Sequence, residues 1–226
     1  MYFGKNLQFL RKMRNGMTQE ELAEKLCVSR QTVSKWELGS IYPEMGKIVE
    51  LCELFNCTMD RLIREDMTAS DKAYSNIRIE WTEPFRYLRY TVISPEPEDD
   101  AIGYVRRQAE ALGAAPRIIG WDFPFVSQEQ INVYHLHGYT AALILPDGIS
   151  PEGEICSQGK QKYAVITVRG CNEDPFRTIP GGYKMLMTYM KTNGIRHLQD
   201  PSVIGCFEKE YMDGGVPCMD IFIAAE

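Results

Sequence analysis

A short polar run is the first part of the sequence whose residue types and spacing could do chemistry. Residues 29–35 have the sequence SRQTVSK. Arginine can pair bidentately with guanine, glutamine with adenine, and threonine can touch a thymine methyl. On one side of a helix, such residues would contact base edges in the DNA major groove, with those nearest the helix N-terminus foremost. The predicted DNA-contacting residues are Gln19, Ser29, Arg30, Gln31, Thr32, Ser34 and Lys35.

Gln19 and Ser29 stand near predicted helix N-termini, where we expect phosphate contacts. The alternative is that the whole set is an ordinary solvated helix face. Trp36 and Glu37 are predicted to be structural, Trp36 as a core anchor and Glu37 in a pair within the same module.

A second group of residues combines carboxylates with aromatic rings. Glu208 and Glu210 lie in the segment CFEKEY, and strand alternation puts both on one face. A carboxylate on an otherwise apolar strand is costly to bury unless a cation or a donor pairs with it. Aromatic rings near these carboxylates would bind a flat hydrophobic cation through stacking and cation–π attraction. The predicted ligand-binding residues are Glu208, Glu210, Trp121, Phe123, Tyr139, Tyr163, Tyr183 and Phe207.

Two alternatives stay open for this second group. The aromatic residues could be plain core, and the two glutamates could protect an edge strand against aggregation.

His135 and His137 with Cys156 are too few for a zinc site. We find no phosphate-binding glycine motif and no Gly-x-Ser-x-Gly elbow, so we predict no metal, no cofactor and no catalytic residue.

Five short helices are predicted to position the polar run. Thr18 opens the second helix, and Glu21 three residues later completes a capping box. Ser29 opens the third helix, in which Val33 and Trp36 point inward. Two residues separate the second helix from the cap of the third, the tight connection of a helix-turn-helix.

The segment from TQEELA through VSRQTVSKWE to the following glycine and apolar helix resembles the Xre/Cro phage-repressor family over residues 1–66. That resemblance implies that the second helix of the motif enters the major groove. It also implies a homodimer on a pseudo-palindromic double-stranded DNA operator.

The rest of the chain contains a faint internal repeat. Tyr87–Val92 resembles Tyr163–Val168, and each is followed by a turn, a helix-like stretch and two further strands. The simplest account is two pseudo-symmetric β-α-β-β repeats, that is, an α+β domain after an all-α one. In the repeat alignment Trp121 and Phe123 fall opposite Cys206 and Glu208, so we expect aromatic rings and carboxylates on one surface.

The elements YAVITVRG, IIGWDFP and CFEKEY followed by MDIFIA resemble the GyrI-like effector-binding domain over residues 81–226. That family implies a groove between the repeats that takes small aromatic or cationic molecules. It implies an acidic ligand-contacting residue at Glu208, and a one-residue insertion before Tyr211 leaves Glu210 as a rival.

Charge differs along the chain in a way that the total conceals. The 226 residues carry a net charge of −6, but residues 1–43 have seven basic against four acidic residues, which leaves −9 for the rest.

The polar stretch MTASDKAYSN marks a boundary, so we predict a DNA-binding domain at 1–66, a linker at 67–80 and an effector domain at 81–226. The seven scattered cysteines, the absence of a membrane-length apolar run and the absence of a signal peptide predict a cytoplasmic protein without membrane contact.

Together these features predict a ligand-responsive transcriptional regulator that is not an enzyme. It would sense a small hydrophobic or aromatic effector of multidrug type, cationic molecules included. The alternative is a GyrI-like hydrolase acting on an electrophilic small molecule, with the helix-turn-helix giving autoregulation, and product detected by mass spectrometry would favour it. A protein-interaction module is a third class, and it would need a large exposed apolar patch.

Overall fold

The computed structural model describes residues 2–68 and 73–226. Two compact units divide the chain by their internal contacts, Met1–Tyr74 with Pro180–Arg196, and Ser75–Ile179 with His197–Glu226. The helices of the first unit are α1 (Phe3–Met13), α2 (Gln19–Lys25), α3 (Arg30–Glu37), α4 (Met45–Leu54) and α5 (Met59–Ile63). These are the five helices that the sequence predicts.

The first unit, which we call the helical unit, is built around one apolar core. Phe3, Leu7 and Leu10 recur at helical spacing on α1 and are buried together with Leu22 and Trp36. The predicted caps form, since the Thr18 and Ser29 side chains accept hydrogen bonds from the backbone N–H groups of Glu21 and Thr32. Each cap satisfies a helix N–H group that would otherwise lack a partner.

The end of one later helix also belongs to the helical unit. Helix α8 (Pro175–Thr192) contains Pro180, at which the boundary between the two units falls. Asn193, just past its end, donates to the Met13 carbonyl at 3.0 Å, and Asn56 donates to the Lys191 carbonyl at 3.4 Å. The last turns of α8 are thus held by the helices that precede the sheet in the chain.

The second unit, which we call the sheet unit, contains two β-α-β-β repeats, as predicted. The first repeat is β2 (Phe85–Ser94), α6 (Pro97–Ala111), β3 (Ile118–Asp122) and β4 (His137–Ile144), with the short α7 (Gln128–Asn132) before β4. The second repeat is β6 (Gln161–Arg169), α8, β7 (Cys206–Asp213) and β8 (Val216–Ala224). The sheet order β1-β6-β8-β7-β3-β4-β2-β5 places β7 beside β3, where the two repeats meet.

Two further strands, which the sequence did not predict, are exchanged between the repeats. Strand β1 (Tyr74–Thr82) precedes the first repeat but lies beside β6 of the second, and β5 (Glu154–Gln158) precedes the second repeat but pairs with β2 of the first. Residues 74–80, predicted as part of the linker, are therefore strand in this structure, and residues 69–72 of that linker lie outside the described residues.

The exchange forces the sheet to curl. In the strand order six steps separate β1 from β2, about 29 Å in a flat sheet at about 4.8 Å per step. Only Glu83 and Pro84 connect the two strands, which limits the span to about 10 Å. We call the face on which Phe207 and Phe222 lie the inner face and the opposite one, where α6 packs on β2 and β4, the outer face.

No helix in the described ranges 2–68 and 73–226 is long and apolar enough to cross a membrane.

Candidate functional site

Helix α3 presents the polar run on a rigid support. Val33 is fully buried and Trp36 is 3% exposed, so this side of α3 is fixed in the core. Arg30, Gln31 and Lys35 are exposed on the other side, and Thr32 and Ser34 are half-buried. The predicted inward and outward sides of the helix are therefore the observed ones.

The exposed cation at the N-terminus of α3 is only loosely held. Arg30 Nε lies 4.0 Å from Glu20 Oε2, and both side chains are about two-thirds exposed. Surface ion pairs of this kind contribute little, so Arg30 can exchange Glu20 for another acceptor at small cost.

Glu37 ties the end of α3 to α1. Arg11 donates to both carboxylate oxygens of Glu37, at 2.6 and 3.1 Å, and the Glu37 side chain is 3% exposed. This bidentate geometry is the strong form of a carboxylate pair. The predictions that Glu37 pairs within the module and that Trp36 is a core anchor agree with this arrangement.

Gln19 is attached to the same carboxylate. Its side-chain amide donates to Glu37 Oε2 at 2.9 Å, which fixes the orientation of Gln19 at the start of α2. The sequence could not show this contact. The predicted phosphate contact of Gln19 would therefore use the groups of the amide that Glu37 leaves open.

The second candidate site lies on the outer face of the sheet unit. Gly120 of β3 is paired with Glu208 of β7, and Asp122 of β3 is paired with Tyr139 of β4. Residues directly opposite each other in an antiparallel pair point to the same face. Glu208, Asp122 and Tyr139 therefore share the outer face at the junction of the two repeats.

A cavity of about 120 Å³ opens at this junction. Tyr139, Glu208 and Glu210 line it together with Arg106 and the apolar side chains Ile102, Pro116, Ile118 and Met219. The ring of Tyr139 fits only because residue 120 is a glycine, since a methyl group there would lie 2.2 Å from Tyr139 Oη. We call this space the outer cavity.

Several carboxylates crowd around the Tyr139 hydroxyl. Burial raises the pKa of Tyr139, and the negative charges of Glu208, Glu98, Glu210 and Asp122 raise it further. Desolvation, with the charges of Glu210, Asp99 and Asp122, also raises the pKa of Glu98 above its usual value, although Glu98 as a whole residue is exposed to solvent. The outer cavity is therefore a place where negative charge is concentrated and a cation would be stabilised.

The structure brings together three of the eight predicted ligand-binding residues, Glu208, Glu210 and Tyr139. The prediction that Trp121 shares a surface with Glu208 is wrong, because Gly120 rather than Trp121 is paired with Glu208. Trp121 packs instead against the inner face, with its ring edge-on to Tyr87 at 6.4 Å.

Tyr163 and Phe207 are also on the inner face, where they belong to the core. The Tyr163 hydroxyl donates to the Ile204 carbonyl at 2.9 Å, and the Phe207 ring stacks on Phe222 at 4.3 Å. Phe123 lies beyond the end of β3, with its ring 5.4 Å from that of Phe125. Tyr183, half-buried on α8, belongs to the helical unit. None of these four lines the outer cavity.

Glu98, Asp122 and Arg106 were missed by sequence reasoning. The acidic run EPEDD at the start of α6 contains Glu98 and was a usable signal, but acidic residues are common in the first turn of any helix. Asp122 and Arg106 carried no local signal, because the pairing of β3 with β7 and the packing of α6 on the sheet bring them to this place.

Comparison with known proteins defines the class of the first unit. Residues 7–62 match a family model described as a helix-turn-helix, so this part of the chain is a helix-turn-helix domain. Over 63 residues the chain is 46% identical to the HTH-type transcriptional activator BcrR of Enterococcus faecalis. That alignment covers 28% of this chain and 30% of BcrR, so it spans less than a third of the relative.

Two solved structures are similar to larger parts of the chain. One is EcmrR in a complex with DNA, at 10% identity and a TM-score of 0.49, covering 98% of this chain and 81% of that chain. The other is SAV2435 bound to tetraphenylphosphonium, at 12% identity and a TM-score of 0.38, covering 67% of this chain and 94% of that chain.

Proposed function

We propose that the protein is a transcriptional regulator that binds a DNA operator through α3 and responds to a small cationic effector in the outer cavity. The observation that carries the DNA-binding part is the exposed N-terminal face of α3, mounted on a buried Val33 and Trp36 in a helix-turn-helix domain. Arg30 and Gln31 are the foremost candidates for base contacts, because recognition helices contact bases chiefly near their N-termini.

A homodimer on a pseudo-palindromic operator is part of this proposal. The two recognition helices of a dimer must enter successive major grooves about 34 Å apart, so a small rotation between protomers changes the fit. A regulator of this design needs no large conformational change to release its operator.

The cationic character of the effector follows from the outer cavity. Glu208 and Glu210 line the cavity and Glu98 and Asp122 lie near Tyr139, with Arg106 as the cation among the lining residues. A volume of about 120 Å³ holds an ammonium or guanidinium group rather than a whole drug-sized molecule. We therefore place the charged group of the effector in the outer cavity and its apolar remainder outside it.

The test of the DNA-binding part compares two arginine variants on an operator selected from a random-sequence pool. Arg30→Ala is expected to weaken specific binding by about 1–3 kcal/mol. Arg64→Ala removes the same charge from an exposed position on the C-terminal side of α5 and is expected to have little effect. Equal affinities for the Arg30 variant and the unmodified protein in an anisotropy titration would reject Arg30 as a base contact.

The test of the effector part uses rhodamine 6G, a cationic aromatic dye, in the absence of DNA. Glu208→Gln keeps the size of the side chain and removes its charge, so the dye should bind about tenfold or more weakly. Glu129→Gln, an exposed position on α7, makes the same charge change away from the outer cavity. Equal binding by the Glu208 and Glu129 variants would reject the effector site and leave the DNA-binding proposal standing.

A further inference from the structure

A second cavity of the sheet unit lies on the inner face. It has a volume of about 670 Å³, which is within the usual range of small-molecule clefts. It is lined by parts of seven strands, among them Phe85 of β2, Ile119 of β3, Ile144 of β4 and Phe207 of β7. We call this space the inner groove.

The floor of the inner groove is apolar and rigid. Phe207 and Phe222 are 3% and 5% exposed, and their rings are stacked within 11° of parallel. Ile119 and Ile144 are also buried, and Phe85 is half-buried at the edge. An apolar ligand laid against this floor would displace water without requiring the core to rearrange.

Two exposed cations stand beside this floor on the same face. Because Gly120 is paired with Glu208, Lys209 comes opposite Ile119, and Arg117 is two residues further along the same side of the chain. Among residues 2–68 and 73–226, neither Arg117 nor Lys209 forms an ion pair or a side-chain hydrogen bond. Both positive charges therefore face the groove without a protein counter-charge bound to them.

Three of the carboxylates on this side of the sheet already have partners. Glu80 accepts from Arg78 at 2.7 Å, and Glu83 pairs with Lys160 at 3.0 Å. Asp220, the cross-strand neighbour of Lys209, accepts from Arg78 at 2.8 Å and from Thr167 at 2.6 Å. Asp147 also lines the groove and is exposed on the loop after β4.

We propose that the inner groove binds an apolar small molecule with an anionic head group, a carboxylate or a phosphate. The apolar part lies on Phe207 and Phe222, and the head group accepts hydrogen bonds from Arg117 and Lys209. Charge-assisted hydrogen bonds of this kind are stronger than neutral ones, which sets the orientation of the ligand. The sheet unit would then have two sites of opposite charge preference, one on each face.

The test uses 8-anilinonaphthalene-1-sulfonate, a fluorescent aromatic anion, with the full chain. The double variant Arg117→Gln with Lys209→Gln should bind the dye about tenfold or more weakly. The matched control is Arg107→Gln with Lys184→Gln, which makes the same charge change at exposed positions of α6 and α8. The control variant and the Glu208→Gln variant should both bind the dye within about twofold of the unmodified protein.

Competition separates the two sources of the anionic group. Displacement of the dye by decanoate indicates a carboxylate ligand and displacement by decyl phosphate a phosphate ligand, and the matched cation decylammonium should not compete. Unchanged dye affinity in the double variant, or equal competition by decylammonium, would overturn the proposal.

If the double variant fails to give a cooperative thermal transition, the single change Lys209→Glu at an exposed position serves the same purpose. Loss of dye binding in that variant supports the assignment, and retention of binding rejects it. Because Glu208→Gln leaves the inner groove intact, failure here is distinguishable from failure of the effector proposal.

Discussion

At the scale of single residues, Glu37 stabilises the helical unit and orients a candidate DNA contact at the same time. It accepts two hydrogen bonds from Arg11 and one from Gln19, and the Glu37 side chain itself is only 3% exposed. Removing one partner of a buried ion pair leaves an uncompensated charge. We therefore expect Glu37→Ala to lower the free energy of unfolding by about 3–5 kcal/mol, measured by urea denaturation.

The control for this prediction is Glu20→Ala, since Glu20 is exposed and only 4.0 Å from Arg30. Its effect on the free energy of unfolding should be below about 1 kcal/mol. Similar losses in the two variants would show that the Arg11–Glu37 pair contributes no more than a surface contact.

Glu98 leads to a prediction about pH. Desolvation and neighbouring carboxylates raise its pKa, so its carboxyl group keeps a proton to higher pH than an ordinary glutamate. A cation in the outer cavity favours the ionised form and lowers that pKa again. Binding of rhodamine 6G should therefore release protons, and affinity should rise as the pH is raised from the ordinary glutamate pKa of 4.5 through the higher pKa of Glu98.

The charged groups that act on Glu98 are Glu210, Asp99 and Asp122, and Glu208 and Arg106 line the same cavity. Glu98→Gln should flatten the pH dependence of dye affinity and reduce the number of protons released, as calorimetry in buffers of different ionisation enthalpy would measure. An unchanged slope in this variant would exclude Glu98 as the source of the pH dependence.

Sequence reasoning performed differently on the two candidate sites. The outward residues of α3 were predictable because a single helix with one buried side determines them, and the Val33 and Trp36 spacing is visible in the sequence. The outer cavity depends on which residue of β3 is paired with Glu208. A shift of one residue in that register would pair Trp121 with Glu208 in place of Gly120 and would put an aromatic ring beside the carboxylate. No local sequence pattern determines this register.

At the scale of elements, Gly120 shows how closely β3 and β4 are fitted. A methyl group added there would lie 2.2 Å from Tyr139 Oη and 2.7 Å from two ring carbons, so the Tyr139 ring must move. Overpacking of a buried position costs about 1–3 kcal/mol. We expect Gly120→Ala to lower the melting temperature and to weaken rhodamine 6G binding, because Tyr139 lines the outer cavity.

Gly46 offers the contrast, since a methyl group there would come no closer than 4.0 Å to any atom that does not belong to its own helical turn. In α4, Gly46→Ala should raise the free energy of unfolding by about 0.5–1 kcal/mol, because alanine has the better helix propensity. If Gly120→Ala were as well tolerated as Gly46→Ala, Tyr139 would not be held over Gly120 in solution.

The exchanged strands β1 and β5 illustrate why the fold was only partly predictable. The two repeats appear in the sequence as similar segments, so the internal symmetry could be inferred. Strand β1 instead lies beside β6, about 80 residues further along the chain. The two-residue Glu83–Pro84 connection would by itself suggest a hairpin between β1 and β2, which does not form. This pairing joins strands that are far apart in the sequence, and local sequence patterns do not predict which distant strands become neighbours.

At the scale of the whole molecule, α8 is the one helix among the described residues that contributes to both units. Its first turn belongs to the sheet unit, and from Pro180 onward it belongs to the helical unit. Proline lacks the N–H group that would continue the helical hydrogen-bond ladder, which makes this point of α8 the easiest to bend. We infer that α8 carries the effect of a ligand in the sheet unit to the DNA-binding helices.

Asn193 provides the test of this coupling. Its side-chain amide donates to the Met13 carbonyl at 3.0 Å and to the Tyr189 carbonyl at 2.8 Å, which ties the end of α8 to the end of α1. Allosteric coupling of about 1–3 kcal/mol changes affinity about 5- to 150-fold, so rhodamine 6G should change operator affinity of the unmodified protein within that range.

In Asn193→Ala the dye should still bind, but its effect on operator affinity should fall towards none. Lys184→Ala, at an exposed position of the same helix, should keep the full effect. An identical dye response in the two variants would exclude the Asn193 contact from the coupling, whereas a loss in Asn193→Ala alone would support transmission through α8.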